Sequence, residues 1–146
     1  MNTLSRLILG TAFSLALAAC AAGPRAGSAS LYDRLGGQPA ITAVVDDFVA
    51  NVAADKRING QFANTNIPRL KMLLVEQICA GTGAPCQYTC RDMKSAHAHL
   101  KIGEADFAAL VEDLSRTLDK FKVPAKEQGE LIAILAPMKG DIVTVK

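Results

Sequence analysis

The chain has 146 residues, half of them hydrophobic but only 5% aromatic, with 16 basic against 14 acidic side chains and a net charge of +2. That length holds one domain rather than two. The near-balance of charge argues against nucleic acid as a partner, and a charged fraction of 21% argues against a disordered chain. With no Trp, five Phe and two Tyr, the interior must be built mostly from small and aliphatic side chains, which leaves room for something else to supply bulk at its centre.

The chain opens with Arg6 as the one charge of residues 1–20, then an apolar run from Leu7 to Ala19 interrupted by Gly10, Thr11 and Ser14. As a helix, such a run covers roughly 20 Å, short of a bilayer core of about 30 Å. A basic start, a short apolar centre and small residues at its end read as a secretory signal peptide over 1–19. Residues 20–30 begin with Cys20 and continue AAGPRAGSAS without periodicity, the composition of a flexible tether. The folded domain is expected over 31–146.

Four apolar stripes at helical spacing follow. Ile41, Val44, Val45, Phe48, Val49 and Val52 come after Pro39, and Leu70, Leu73, Leu74, Gln77 and Ile78 after Pro68, each proline suiting a first helical turn. Phe107, Leu110, Val111, Leu114, Leu118 and Phe121 follow Gly103. Leu131, Ile134, Leu135, Met138 and Ile142 follow Pro124, with Pro137 inside the stripe predicting a local distortion. No segment shows the sustained alternation of a strand. The class is all-α, with four main helices and shorter ones between them.

Chemistry concentrates between the second and third stripes. The two histidines, His97 and His99, lie there. Met93, Ala96, His97 and Leu100 share one helical face, so His97 points inward among apolar neighbours. His99, about 200° around, faces elsewhere. An inward neutral imidazole is either a core histidine bonded to a carbonyl or an axial ligand of haem iron. Cys79 and Cys86 bracket the turn Gly81–Pro85, and a bridge between them would tie the second stripe to the loop before His97. Cys86–Cys90 competes with that pairing, and one thiol is left over either way. The spacing of Cys79, Cys86, Cys90, His97 and His99 does not match a paired zinc-binding pattern.

Beyond these local readings, the body resembles a group I truncated haemoglobin, a shortened globin with a two-over-two helical sandwich around haem. The similarity begins at Leu31-Tyr32-Asp33-Arg34-Leu35-Gly36-Gly37. It continues through Val45-Asp46-Asp47-Phe48, Phe62 with Asn64-Thr65-Asn66, and Arg69-Leu70-Lys71. Tyr88-Thr89, Met93-Lys94 with His97, Ile102, Phe107, Val123-Pro124 and Ala136-Pro137 complete it. The order and spacing of these pieces over 31–143 carry the resemblance. It implies haem b (iron protoporphyrin IX) as cofactor and His97 as the proximal iron ligand. Phe62 would pack on the haem face, and Leu70 and Leu74, with Val49, would line the distal side. Ile78, Met93, Ile102, Phe107, Leu110 and Ile142 would complete an apolar cage, and Lys71 would pair with a propionate.

Two departures from that family's pattern shape the expected function. Many members carry Tyr at the position of Val49 and Gln at that of Leu74, polar groups that hydrogen-bond a bound gas. Here Val49, Leu70 and Leu74 offer no donor; Gln77 is the nearest candidate, and Tyr32 or Tyr88 would have to reach in from elsewhere. Some members close the sixth iron position with a His or Lys, where this chain has Leu73. The resemblance therefore implies a globin with an open distal site that binds a diatomic gas (O₂, NO or CO) and releases O₂ readily, with an unidentified redox partner. The alternatives are a haem-dependent NO dioxygenase or redox enzyme and, without haem, a globin-like interaction lipoprotein. Leu17-Ala18-Ala19-Cys20 also resembles the lipobox of bacterial lipoproteins. That implies lipidation at Cys20, a periplasmic location and attachment to a membrane, with Ala21 favouring the outer one.

Overall fold

The computed structural model describes residues 29–145. The expected signal peptide, the lipidation site Cys20 and the tether up to residue 28 lie outside the described residues. No described helix is long and apolar enough to cross a membrane.

The described residues fold as helices and connecting turns: α1 (Leu31–Arg34), α2 (Gly37–Ala54), α3 (Ile67–Gly81), α4 (Met93–His97), α5 (Glu104–Lys120), α6 (Ala125–Leu135) and α7 (Lys139–Ile142). Short 3-10 turns occupy Asn59–Phe62 and Ala136–Met138. The four stripes correspond to α2, α3, α5 and the α6–α7 run. Pro137 acts as expected, because the last stripe changes to a 3-10 turn at Ala136–Met138 before α7 resumes.

Local chemistry sets the ends of these helices. Ser30 caps α1 by accepting from the Asp33 amide at 3.1 Å, while the Asp33 carboxylate accepts from the Ser30 amide. The α1–α2 corner needs glycine: Gly36 and Gly37 have φ of 93° and 71°, and a Cβ on Gly36 would lie 2.8 Å from that of Ala40. Asn66 and Asp92 cap α3 and α4 through the amides of Arg69 and Ser95, at 3.0 and 2.8 Å. The Ser95 amide holds the Asp92 carboxyl below the usual carboxylate range. Asp106 closes the start of α5 by accepting from the Gly103 amide at 2.9 Å.

α2 is the central helix and packs against both α3 and α5. Its whole stripe is buried, together with Ile58, Ile78, Ala109, Leu118 and Leu131, and each large aliphatic side chain so removed from water contributes about 2 kcal/mol. The other stripes are buried less evenly. On α3, Ile78 and Cys79 are buried while Leu70, Leu73, Leu74 and Gln77 are half-buried. On α5, the fully buried row is Ala109, Asp113, Thr117 and Leu118, whereas Phe107, Leu110, Val111 and Leu114 are half-buried. Phe121 departs from its predicted stripe. It sits just past the end of α5, where the chain reverses through Lys122, and is exposed.

The core also holds polar groups. Asp113 is fully buried, and neither carboxylate oxygen has a hydrogen-bond partner. Arg116 lies 3.0 Å from it without hydrogen-bonding geometry. Burial pushes the Asp113 carboxyl up, against the opposing pull of Arg116. Its neighbour one turn on, Thr117, accepts a 2.8 Å bond from the Asn51 amide. Arg34 joins α1 to α6 through Glu127 at 3.0 Å and through Glu130.

Candidate functional site

His97 is carried by the short helix α4, which lies in the chain between two helices with half-buried apolar faces, α3 and α5. α3 and α5 each pack on α2, while α4 packs on α7. Cross-links then tie these walls together. Glu76 on α3 accepts from the amide and hydroxyl of Thr89, in the segment entering α4, at 3.1 and 2.8 Å. Cys79 at the end of α3 is bridged to Cys86, with Cα atoms 5.8 Å apart, leaving Cys90 as a half-buried free thiol. Lys139 at the start of α7 reaches over the Phe107 ring, 5.8 Å from its centroid, and pairs with Glu104.

His97 is the last residue of α4 and is half-buried. Its Nδ1 lies 2.7 Å from the Met93 carbonyl. A carbonyl only accepts, so Nδ1 carries the proton, and the lone pair of the neutral ring is on Nε2. The ring is thus fixed by its own helix with one nitrogen left as a ligand atom. His99 is exposed, past the end of α4. Leu100 was expected to continue the helical face, but α4 ends first, and the Leu100 amide instead closes a turn on the His97 carbonyl at 2.8 Å.

The other sequence-predicted residues are placed as follows. Met93 opens α4, and Ile102 is buried in the loop after it. Phe62 ends the 3-10 turn and packs against the core. Leu70 and Leu74 are on the half-buried face of α3, with Val49 buried on α2 behind them and Ile78 buried one turn on. Phe107 and Leu110 are half-buried on α5, and Ile142 is half-buried at the end of α7.

Lys71 forms an ion pair with the protein's own α2. At about 100° per residue, Lys71 lies about 60° from Leu74 on the flank of the Leu70–Leu74–Gln77 face, with Met72 and Val75 further round. The Lys71 amine is 2.9 Å from Asp46 on α2. Both residues line a groove of about 270 Å³, with Met72, Val75 and Glu76.

Of the distal donors proposed from sequence, Gln77 has a partner elsewhere. The Gln77 amide donates to the Met138 sulfur at 2.9 Å. The Tyr32 hydroxyl accepts from the Gln38 amide at 2.9 Å. Burial, helped by the neighbouring Cys90, pushes the Tyr88 hydroxyl up to about 12. Sequence reasoning missed Met138 as the partner of Gln77 and Lys139 as the partner of Phe107. Met138 was visible as part of the fourth stripe, but its contact spans 61 positions.

The residues present suit an iron porphyrin. A neutral imidazole offers a single nitrogen ligand, and the flanking walls are aliphatic and aromatic, suited to a flat apolar ring.

Comparison with known proteins agrees with this geometry. Residues 30–144 match the family model described as bacterial-like globin. A group 1 truncated hemoglobin of Mycolicibacterium paratuberculosis is 36% identical over 120 residues, covering 82% of this chain and 88% of the relative. One from Nostoc commune is 32% identical over 113 residues, covering 77% and 96%. Among solved structures, the truncated hemoglobin of Tetrahymena pyriformis in its Fe(III) form superposes with a TM-score of 0.75 at 26% identity, covering 79% of this chain and 98% of that one. The 2/2 hemoglobin of a Synechococcus species, in the cyanomet state with covalently attached heme, also gives 0.75, at 29% identity and the same coverage.

Proposed function

The chain belongs to the bacterial-like globin family, with the all-α two-over-two fold of the truncated globins, and from that premise we propose that it is a haem protein whose open distal side takes a diatomic gas. The observation that carries the proposal is His97: its Nδ1 is held by the Met93 carbonyl at 2.7 Å, leaving Nε2 as an iron ligand. Haem supplies the gas-binding iron. The chain's own residues fix the imidazole, wall the ring with Phe62, Leu70, Leu74, Met93, Phe107 and Leu110, and keep water from it.

On the distal side, Leu73 supplies no ligand to close the sixth position. Val49, Leu70 and Leu74 supply no hydrogen-bond donor, and Gln77 is held by Met138. A bound O₂ that accepts no hydrogen bond forgoes roughly 1–3 kcal/mol of stabilisation. The reading is therefore weak or rapidly reversible O₂ binding, with CO and NO less affected. The same lack of a donor disfavours the alternative of NO dioxygenation, which requires O₂ to be held while NO arrives.

The membrane assignment rests on sequence alone. Leu17-Ala18-Ala19-Cys20 at the end of a signal-like segment supports lipidation and a periplasmic tether.

Titrating the purified chain with haemin tests the reading. A stoichiometric Soret band that His97→Ala abolishes or shifts to a weakly ligated form is expected. No uptake by the unaltered chain would overturn the haem reading and leave a globin-like interaction protein. A six-coordinate low-spin ferrous spectrum without added ligand would overturn the open sixth site.

A further inference from the structure

We infer that Thr144 is a positioning residue for His97, holding the proximal helix through its C-terminal loop; this rests on the proposed role of His97 as iron ligand. α4 has five residues, too few for a helix to keep its own direction, since nucleation costs more than one turn returns. Its orientation must come from its packing on α7 and from its ends. Asp92 holds the N-terminal end through the Ser95 amide. At the other end the chain has only Ala98 to Ile102 before Gly103 caps α5.

That loop is held by a segment far downstream. The Thr144 hydroxyl accepts from the Ile102 amide at 3.0 Å and donates to the Leu100 carbonyl. The Ile102 carbonyl accepts from the amides of Thr144 and Val145, at 2.9 and 3.1 Å. Gln61 adds a weaker bond, its amide 3.3 Å from the Lys101 carbonyl. One hydroxyl therefore bridges a carbonyl and an amide of the loop, and a side chain with only a donor or only an acceptor cannot do both. Leu100, whose carbonyl is gripped, is itself bonded to the His97 carbonyl through its amide. The path from Thr144 to the histidine is two hydrogen bonds long, with Leu100 between them.

Losing the hydroxyl leaves the two main-chain bonds in place, so the loop persists but its register on α4 loosens. The imidazole plane then samples a wider range while its bond to the Met93 carbonyl survives. Thr144 is exposed, so substitution there creates no cavity.

The full chain, loaded with haemin, is compared as unaltered protein, Thr144→Val and Thr144→Ser. Three measurements are made: the Fe–His stretching band of the deoxyferrous form by resonance Raman, the rate of haem transfer to an apoglobin acceptor, and the melting temperature of the haem-free chain. Thr144→Val is expected to broaden or shift the Fe–His band and to speed haem loss about fivefold, the effect of one net hydrogen bond. Thr144→Ser, which keeps the hydroxyl, restores both. An unchanged band and unchanged haem loss in Thr144→Val would overturn the inference. So would a lower melting temperature with the Raman band unmoved, or equal effects of Val and Ser. Failure of the unaltered chain to take up haemin would instead overturn the haem reading on which the inference stands.

Discussion

Replacing Leu74 by Gln tests the account of the distal side most directly. Leu74 is half-buried on α3, and glutamine has a similar size, so the exchange neither opens a cavity nor crowds the wall. Gln77, one turn on, donates to Met138 but keeps a free carbonyl oxygen, so the exchange is also made beside Gln77→Leu, where a new N–H at position 74 meets no side-chain acceptor. Its acceptor is a gas bound beside it. A hydrogen bond to an oxygen that carries partial negative charge is worth about 1.5–3 kcal/mol, which slows dissociation by roughly 10- to 150-fold. Desolvating the amide in the free protein costs roughly 0.5–2 kcal/mol, reduced at a half-exposed site. That cost lowers stability without accelerating release. Stopped-flow displacement of O₂ by excess CO reads the first quantity, and displacement of CO by NO provides the control. Leu74→Gln should slow O₂ release at least tenfold and leave CO release nearly unchanged. Equal slowing of both gases would mean that Gln acts by steric closure, and no change in either would mean that position 74 does not face the bound ligand. Unaltered protein that released O₂ slowly, with Gln77→Leu making no difference, would refute the donor-free description altogether.

Two further expectations follow from residues away from the histidine. Asp113 is buried with a raised pKa. The folded chain therefore keeps its proton to a higher pH than the unfolded chain, and stability falls as pH rises from the ordinary aspartate value through the raised one. Asp113→Asn should raise the melting temperature at pH 7, and its advantage should vanish below about pH 3.9, where the unfolded carboxyl is also protonated; a lower melting temperature at pH 7 would contradict this. Cys20→Ser should abolish incorporation of labelled palmitate by a bacterial host expressing the full chain, and persistence of the label would place any lipid elsewhere.

The helices were largely legible in the sequence, because a stripe such as Ile41 to Val52 has one meaning when its whole face is buried. The division of labour within a stripe was less so. On α5 the large side chains attract attention, yet Phe107, Leu110 and Leu114 are only half-buried, while the deepest row is Ala109, Asp113 and Thr117. Small and polar residues at helical spacing escape a count of hydrophobic ones. His97 was legible because Met93 lies four residues before it, and that single turn sets both its face and its hydrogen bond. The pairing of Lys71 with Asp46 was not legible, because Asp46 is 25 positions away on another helix and nothing local reveals it. The bonds of Thr144 escaped for a related reason: a threonine hydroxyl satisfying main-chain groups across 42 and 44 positions leaves no trace in either local sequence.

The same long reach governs the order in which the site can be completed during synthesis. α2, α3 and α5 contain the cores of their own packing and can associate while the rest of the chain is still being made. The loop after His97 then has only the weak bond from Gln61, because Thr144 follows it by more than forty residues. A nascent chain that has produced the histidine and the whole of α5 still carries an α4 held from its N-terminal side alone, without α7 or Thr144. Haem capture in a fixed geometry is thus a late event, timed by the arrival of the C-terminal segment and not by formation of the apolar walls.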